Sequence, residues 1–360
     1  MTEAILLVGG QGTRLRPLTI HAPKPMLPVA GVPCTEHQIA RAREAGVTRI
    51  VLGTSYRAEV FQEYFGDGSG FGVELVYAVE DEPLGTGGAI RHAAGHLTAA
   101  GSDPVLVFNG DVLTGVDLTH LLAEHSRVGA AVTLYLTRVA DPRAFGLVPT
   151  DREGRVTAFL EKPSTPEEIV TDQINAGCYV FRRSVIDRIP VGRPVSVERE
   201  TFPELLAGGE RLQGVVDEGY WLDLGTPLAF VQGSADLVTG RAPSPAVPGP
   251  TGKALVLPGA EVADSATVSG GSVVGAGARV GAGARIEGSV LFDGCVVEDG
   301  AVVRDSVVGS GAIVGGRAQL TGVVVGDGAR VGPDNELIHG ARVWPGATLG
   351  PTSVRFSSDR

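Results

Sequence analysis

Short runs of aliphatic residues alternate with amphipathic stretches over the first two thirds of the chain. The runs predict strands at Ile5–Val8, Arg49–Leu52, Val73–Val79 and Val105–Phe108, and the stretches predict helices at Glu36–Glu44, Ala58–Tyr64 and Gly88–Leu97. Such alternation indicates a Rossmann-like α/β domain with a mostly parallel sheet, in which ligands bind at the carboxyl ends of strands. More closely spaced runs predict added antiparallel strands, and thus a mixed sheet: Ala131–Leu136, Val156–Leu160 and Cys178–Phe181.

The pattern changes after residue 240. Arg241–Lys253 has prolines at positions 243, 245, 248 and 250, which predict an extended linker. Aliphatic residues then recur every six positions in three sets. The first runs from Val262 to Ile286, the second from Val296 through Val302 to Leu320, and the third from Val325 to Leu349. This period predicts a left-handed parallel β-helix of hexapeptide repeats, whereas a β-sandwich would need alternation at every second residue. The two phase shifts between the sets predict small loops.

These patterns predict four parts of the chain. Residues 1–240 form a catalytic domain, 241–253 a proline-rich linker, 254–350 the β-helix and 351–360 a tail. The β-helix accounts for the high glycine content, 52 of 360 residues, because its corners need residues that tolerate tight turns. We expect it to support a homo-oligomer.

Charge and cysteine content exclude several classes of protein. The formal net charge is −11 and no basic run occurs, which argues against binding to nucleic acid. Three widely separated cysteines form neither a disulfide framework nor a zinc site. The first apolar run is too short for a signal peptide or a membrane helix, so we expect a cytoplasmic protein without membrane contact.

A glycine-rich loop follows the first predicted strand. Gly9, Gly10 and Gly12 let the backbone approach a phosphate closely, and successive N–H groups there can bind an anion. The loop has no Gly-Lys-Ser/Thr ending of the P-loop type, and Leu15 replaces the third glycine of a dinucleotide fingerprint. On its glycines alone, a simple turn between a strand and a helix explains it equally well.

Two cations favour a phosphate site over a simple turn. Arg14 lies within the loop, and Lys24 follows between Pro23 and Pro25, which restrict the backbone around it. A lysine presented in this way beside a glycine-rich loop is typical of a triphosphate site.

The segments Gly9–Thr19 and Pro23–Gly31 resemble the signature of the sugar-nucleotide pyrophosphorylases. Further motifs of that family follow in order: Glu82–Gly88, Phe108–Asp111, Phe159–Pro163, Ile174–Gly177, Ser196–Pro203 and Gly219–Pro227. With the β-helix, the resemblance covers nearly the whole chain, which is identified as a member of this family. The match is most similar to members that join GTP to mannose 1-phosphate.

The resemblance implies roles for individual residues. Asp111 and Asp223 would bind Mg²⁺, and Lys162 would contact the sugar phosphate. Gly146, Glu161 and Asn175 resemble positions that hold sugar hydroxyls; Glu198 joins them or forms an ion pair with Arg193 or Arg199. The nucleotide would contact Leu7, Gly9, Gly10, Gly12, Thr13, Arg14, Lys24, Glu80, Glu82, Pro83, Gly85, Thr86, Asn109, Gly110 and Asp111.

The implied reaction is an in-line attack by a sugar-phosphate oxygen on the α-phosphorus of the nucleotide, with loss of pyrophosphate. The nucleophile is already anionic and needs no general base, so the catalytic candidates are the charged groups Arg14, Lys24, Lys162, Asp111 and Asp223. For the base, Glu80 or Glu82 is expected to accept the guanine N1–H and 2-amino hydrogens.

Three other functions remain open. The first is a thymidylyl-, uridylyl- or adenylyltransferase acting on glucose 1-phosphate. The second is a bifunctional uridylyltransferase/acetyltransferase, which would need a longer β-helix and an acyl-transfer histidine, whereas His339 is the only histidine after residue 125 and is interpreted as a coil-face residue. The third is a catalytically silent scaffold, which the presence of all five charged candidates argues against.

Overall fold

The computed structural model describes residues 2–163, 165–247 and 251–355, with the side chain of Pro166 excluded. Pro248, Pro250 and residues 356–360 of the predicted linker and tail lie outside the described residues. Contacts divide the chain into two compact units. The sheet unit holds the residues up to Gly10 and Gln38–Trp221; the coil unit holds Gln11–His37 and the residues from Leu222 onward. The boundaries of these units differ from the predicted domain boundaries, and the latter stay a prediction.

The sheet unit is built on a nine-stranded mixed sheet with the strand order β10-β9-β11-β6-β1-β4-β5, in which β8 also pairs with β11 and β12 pairs with β8. Strand β1 lies between β4 and β6, and all three run parallel, whereas β11 is antiparallel to β6 and β8. The predicted mixed, mostly parallel sheet is thus confirmed. The nine strands are β1 (Thr2–Leu7), β4 (Val47–Thr54), β5 (Glu74–Val79), β6 (Pro104–Asn109), β8 (Val132–Arg138), β9 (Gly146–Leu147), β10 (Leu160–Glu161), β11 (Gln173–Arg182) and β12 (Leu212–Val216), and the short strand β7 (Val112–Thr114) is not part of this sheet.

Helices of the sheet unit pack on these strands and close its core. Ile5, Val51 and Val107 of neighbouring strands are fully buried, together with Ile90 on α3. Burying one such aliphatic side chain stabilises a fold by about 1.5–3 kcal/mol. The helices of both units are α1 (Cys34–Glu44), α2 (Ala58–Phe65), α3 (Gly85–Ala93), α4 (Leu118–Val128), α5 (Arg183–Ile186), α6 (Phe202–Ala207) and α7 (Pro227–Thr239). Among the described residues, none of the helices combines the length and the apolar character that crossing a membrane requires.

The predicted strand Val156–Leu160 is wrong over most of its length. Its backbone is divided between two partners, because Val156 N donates to Leu212 O (2.9 Å) and Thr157 N donates to Pro149 O (3.0 Å). Only Leu160–Glu161 pairs regularly, with β9. An aliphatic run therefore forms a crossing between two neighbours instead of one strand.

The coil unit contains three parallel sheets whose strands alternate along the chain, in agreement with the predicted left-handed β-helix. Each sheet takes every third strand from β14 onward. The short strands that precede the β-helix are β2 (Pro28–Val29), β3 (Val32–Pro33) and β13 (Trp221–Asp223). The β-helix strands are β14 (Ala254–Val256), β15 (Glu261–Val262), β16 (Thr267–Ser269), β17 (Ser272–Val274), β18 (Arg279–Val280), β19 (Arg285–Glu287), β20 (Val290–Leu291), β21 (Val296–Val297), β22 (Val302–Arg304), β23 (Val307–Val308), β24 (Ile313–Val314), β25 (Gln319–Thr321), β26 (Val324–Val325), β27 (Arg330–Val331), β28 (Glu336–Ile338), β29 (Arg342–Val343) and β30 (Thr348–Leu349).

The register of the β-helix corrects the predicted inward positions. Val297 and Val303 are 0% exposed, whereas Val296 and Val302 are only partly buried, so the prediction of the latter two as inward residues is wrong. Serine hydroxyls explain the shift, because those of Ser272, Ser289 and Ser306 each accept a hydrogen bond (3.0–3.1 Å) from a backbone N–H 17 residues further on. These coils are therefore one residue shorter than three hexapeptides. The phase of the six-residue repeat changes at these shortened corners, and not at loops as predicted.

Candidate active site

The candidate site residues are divided between the two units. In the sheet unit, the loop after β1 contains two consecutive glycines, Gly9 and Gly10. A Cβ at Gly9 would lie 2.9 Å from Ser55 Oγ, and that hydroxyl donates to Gly9 O (3.2 Å). At Gly10 an added Cβ would meet no atom within 4 Å. Leu7 ends the strand just before this loop. The loop thus presents bare backbone beyond the carboxyl end of a central strand.

The carboxyl end of the adjacent strand β6 carries Asn109, Gly110 and Asp111. Gly110 N donates to Leu7 O (2.8 Å), and a Cβ at Gly110 would lie 2.6 Å from a methyl group of Val8. Only glycine permits this approach, which fixes where the chain turns. Asp111 is therefore presented at the end of a central strand, as the sequence predicts.

The loop before α3 is shaped by Glu80. This side chain is 7% exposed, and its Oε2 accepts a hydrogen bond from Leu84 N (3.0 Å). Glu82 and Pro83, between them, are exposed. Of the two carboxylates predicted to read guanine, Glu80 supports the loop and Glu82 faces solvent.

Gly85 and Thr86 join this loop to the segment that carries Glu198. Gly85 has a φ of +69°, and a Cβ there would lie 2.7 Å from Val195 O, so any other residue would force the two backbones apart. The Thr86 hydroxyl donates to Glu198 Oε2 (2.8 Å) and accepts from Val197 N (2.9 Å).

The alternative ion pair of Glu198 with Arg193 does not form. Arg193 donates to Glu200 (2.8 Å) instead, and Glu198 accepts hydrogen bonds from Thr86 and Ser196. The carboxylate of Glu198 is thus held by neutral hydroxyls, which leave its negative charge uncompensated by Arg193.

Two short paired strands, β9 and β10, bring Gly146 and Glu161 together. A Cβ at Gly146 would lie 2.6 Å from Glu161 Oε2, so this glycine leaves room for the carboxylate. Burial raises the pKa of Glu161, the negative charge of Glu198 raises it further, and Lys162 acts in the opposite direction. Lys162 Nζ lies 3.9 Å from Glu161 Oε1, and the lysine side chain is 61% exposed. Asn175 Nδ2 donates to the Tyr179 hydroxyl (2.7 Å).

In the coil unit, Gly12 sets the geometry of the second half of the loop. Its φ is +59°, and it begins a tight helical turn over Thr13–Leu15. The Thr19 hydroxyl donates to Gly12 O (2.9 Å), which closes the turn. A Cβ at Gly12 would lie 2.6 Å from Lys24 Cβ, so the absence of a side chain allows the turn to pack on the lysine.

Three charged candidates from distant sequence positions meet in the coil unit. Lys24 Nζ lies 3.3 Å from Asp223 Oδ1, and an Arg14 terminal nitrogen lies 3.7 Å from Asp223 Oδ2. The Lys24 side chain is only 8% exposed, whereas that of Arg14 is 67% exposed. A Cβ at Gly225 would collide with the Arg14 guanidinium, so this glycine makes room for it. The group forms a cationic patch around one carboxylate.

The chemistry of the carboxylates suits a hard cation bound mainly by its substrate. Among the described residues, no group of three or more His, Cys, Asp or Glu side chains could hold a metal ion. Asp111 and Asp223 offer only oxygen ligands, and Mg²⁺ typically takes one or two carboxylates with phosphate oxygens and water completing its shell. Each of these carboxylates therefore suits a hard divalent cation whose shell substrate oxygens complete.

Several residues that shape the site were not predicted. Thr19 and Gly225 lie inside the family motifs Gly9–Thr19 and Gly219–Pro227, but these motifs do not predict which residues the two contact. Ser55 and Tyr179 lie outside any quoted motif, and only the packing of strands brings them to Gly9 and Asn175.

Comparisons with known proteins agree with these features. The nucleotidyl transferase family model matches residues 3–240, and the model of the GMPPB C-terminal domain matches residues 250–354. A mannose-1-phosphate guanylyltransferase of Mycobacterium tuberculosis is 56% identical over 358 residues, which are 99% of this chain and 98% of that protein. The catalytic subunit beta of the Drosophila melanogaster mannose-1-phosphate guanylyltransferase is 39% identical over 73% of this chain and 71% of its own length.

A solved structure supports the same family. The crystal structure of HddC from Yersinia pseudotuberculosis, complexed with GMP-PN, matches with a TM-score of 0.55 and 26% identity, over 65% of this chain and 98% of that one. The chain therefore belongs to the nucleotidyl transferase family and, within it, to the mannose-1-phosphate guanylyltransferases.

Proposed function

We propose that the chain transfers the guanylyl group of GTP to mannose 1-phosphate, giving GDP-mannose and pyrophosphate. The observation that carries the proposal is the 56% identity with a mannose-1-phosphate guanylyltransferase along almost the whole of both chains. The cationic patch of Arg14 and Lys24 around Asp223 supports it, because a triphosphate needs such charge.

The chemistry requires positioning and charge neutralisation, since the attacking phosphate oxygen is already anionic. Lys24 and Arg14 neutralise the charge that develops on the leaving pyrophosphate. Lys162 holds the sugar phosphate, and its side chain is exposed, so its amine is accessible to an incoming anion. Asp111 and Asp223 would hold Mg²⁺, which supplies further positive charge to the phosphate oxygens.

The sugar is proposed to bind beside Gly146, Glu161, Asn175 and Glu198. Carboxylates accept hydrogen bonds from sugar hydroxyls, and Gly146 leaves room for the Glu161 carboxylate that would accept them. Burial and the charge of Glu198 raise the pKa of Glu161, which means that they disfavour its charged form. Hydrogen-bond donors that replace the lost water stabilise that charged form. Sugar hydroxyls are such donors.

We assign guanine recognition to Glu82, with Glu80 as its support. Glu82→Gln should lower kcat/KM for GTP about 10-fold relative to UTP and dTTP, because a carboxylate accepts two guanine donors and an amide nitrogen repels one. Glu80→Gln should leave this preference nearly unchanged and weaken the loop, since its carboxylate accepts from Leu84 N. Steady-state kinetics with the three nucleotides measure both effects. An unchanged preference in Glu82→Gln would remove the assignment, and a loss of preference in Glu80→Gln alone would move it to Glu80.

We also propose a cytoplasmic homo-oligomer that associates through the β-helix. Partly exposed Val296, Val302 and Ile313 interrupt the polar outer faces of the coils, and Trp344 is 50% exposed. Such apolar positions are typical of association surfaces. Light scattering of the full chain tests this: we expect a multiple of the 37.1 kDa chain mass, and a single chain mass at micromolar concentration would contradict it.

Release of pyrophosphate tests the proposed reaction. The full chain is incubated with GTP and mannose 1-phosphate in Mg²⁺, and in parallel with excess chelator. We expect release that requires both substrates and is abolished by the chelator. A panel of glucose 1-phosphate with dTTP, UTP and ATP distinguishes the alternative transferases, and no release with any pair would favour a silent scaffold.

A further inference from the structure

The segment that carries Arg14 and Lys24 is fastened to the β-helix inside the coil unit. Arg342, at the start of β29, donates a hydrogen bond from its guanidinium to the backbone carbonyl of Arg16. Five residues further along the segment, His21 Nδ1 lies 3.6 Å from Asp327 Oδ2. Asp327 and Arg342 belong to stacked coils, because Gly346 N donates to Asp327 O (3.0 Å). The far coils of the β-helix therefore contact the segment on both sides of the Leu18–Ile20 turn.

The other end of the segment is fixed as well. Ala30 N donates to Ser234 Oγ on α7 (3.0 Å), and a Cβ at Gly31 would lie 3.0 Å from a methyl group of Leu257, beside the first coil. Helix α7 in turn packs on the β-helix, since a Cβ at Gly271 would lie 2.7 Å from Ala235. Lys24 thus sits in a stretch of chain held at both ends.

Arg342 itself interrupts a regular column of valines. The outward positions of β17, β20, β23 and β26 are all valine and at most 2% exposed: Val273, Val290, Val307 and Val324. Arg342 takes the next place in this column, in register with Val324. Arg342 is exposed, unlike the four valines, and its guanidinium reaches across to the Arg16 carbonyl.

We infer that Arg342 is a positioning residue for the reaction: it holds the Arg16 carbonyl, and with it the turn that presents Arg14. This inference rests on the proposed function. It makes the β-helix part of the support of the active site, in addition to any role in association. The contact between Arg342 and the Arg16 carbonyl lies two residues from Arg14, which is proposed to face the leaving pyrophosphate. Loss of the contact should therefore weaken stabilisation of the transition state more than it weakens substrate binding.

Three variants of the full chain test the inference. Arg342→Ala should lower kcat about 10-fold, since small displacements of a positioning group cost this much or more, and leave KM for mannose 1-phosphate unchanged. Arg342→Lys restores one donor and should recover at least part of the loss. Arg330→Ala is the control for loss of an exposed β-helix arginine, because Arg330 lies on β27, in a different sheet. Arg330 is in register with Ile313 of the proposed association surface, so light scattering checks that this variant keeps the wild-type mass.

The outcomes separate the inference from the proposed function. Wild-type chain that makes no GDP-mannose overturns the proposed function. Active wild type with an unchanged kcat in Arg342→Ala overturns the inference alone. So does a loss that Arg342→Lys does not recover, or one that Arg330→Ala reproduces, since both would indicate a general effect on the fold. Thermal unfolding of all variants identifies a chain that has lost its structure.

Discussion

Replacing Lys24 with methionine is expected to lower kcat by about 10²–10³-fold, the effect of removing one preorganised group that stabilises transition-state charge. Methionine keeps the length and the apolar stem of the side chain, which is 8% exposed, and removes the ammonium. The loss should appear in kcat more than in KM for GTP, because negative charge accumulates on the leaving pyrophosphate during the reaction. Steady-state kinetics with saturating mannose 1-phosphate measure it.

A second variant separates the chemical role of Lys24 from its ion pair. In Lys24→Met alone, Asp223 loses the cation 3.3 Å away, and this loss could disturb the site by itself. Lys24→Met combined with Asp223→Asn removes the orphaned charge. Because Asp223 is also a proposed Mg²⁺ ligand, the double variant is compared with Asp223→Asn alone: if Lys24 acts on the triphosphate, adding Lys24→Met lowers kcat further by about 10²-fold. No further loss would assign Lys24 a purely structural role, and Lys253→Met, an exposed lysine outside the patch, controls for the loss of one positive charge.

Gly12→Ala is expected to lower kcat/KM for GTP by about 10²-fold, as displacement of reacting groups by about 1 Å does. The φ of +59° at Gly12 disfavours any residue with a Cβ, and the new methyl group would lie 2.6 Å from Lys24 Cβ and 3.1 Å from Thr19 Cγ2. Both neighbours belong to the site: Thr19 closes the turn, and Lys24 carries the charge. The methyl group therefore pushes Arg14 and Lys24 out of place together.

Gly10→Ala is the matched control, because it lies two residues away in the same motif and has open space around it. We expect it to retain activity within a few-fold of wild type, with thermal unfolding of both variants checked by circular dichroism. Equal loss in the two variants would mean that backbone access to the phosphates limits the reaction, and not the packing of Gly12 on Lys24. Full activity in Gly12→Ala would contradict the geometry of the turn.

Sequence patterns predicted the elements that depend on local periodicity. The apolar runs around Val51 and Val107 became buried strands, because such runs can be satisfied only inside a covered sheet. The six-residue repeat likewise predicted the β-helix. The pattern failed at Val296 and Val302, where serine hydroxyls replace backbone partners at the corners and let the coil lose one residue. Where a serine hydroxyl takes the place of a backbone hydrogen-bond partner, the spacing of aliphatic residues no longer identifies which of two neighbouring residues points inward.

The candidate site was predictable to the extent that its residues lie in motifs. Gly12, Lys24 and Asp223 were identified, and the structure places these three together. Their supports were not identified when they came from afar. The contact between Arg342 and the Arg16 carbonyl joins residues 326 positions apart, and no local pattern marks an arginine in a column of valines as a donor for a distant turn. Long-range polar contacts depend on the packed fold and carry no periodic signal.

Isotopic labelling tests the central claim most directly. The full chain is incubated with GTP, Mg²⁺ and mannose 1-phosphate that carries ¹⁸O in every oxygen of its phosphate, and both products are analysed by mass spectrometry. Attack of a sugar-phosphate oxygen on the α-phosphorus predicts GDP-mannose that retains all of the label, and unlabelled pyrophosphate in equal amount. Label in the pyrophosphate, or the absence of GDP-mannose from a folded chain, would contradict the assignment of Arg14 and Lys24 to the leaving pyrophosphate and of Lys162 to the attacking phosphate.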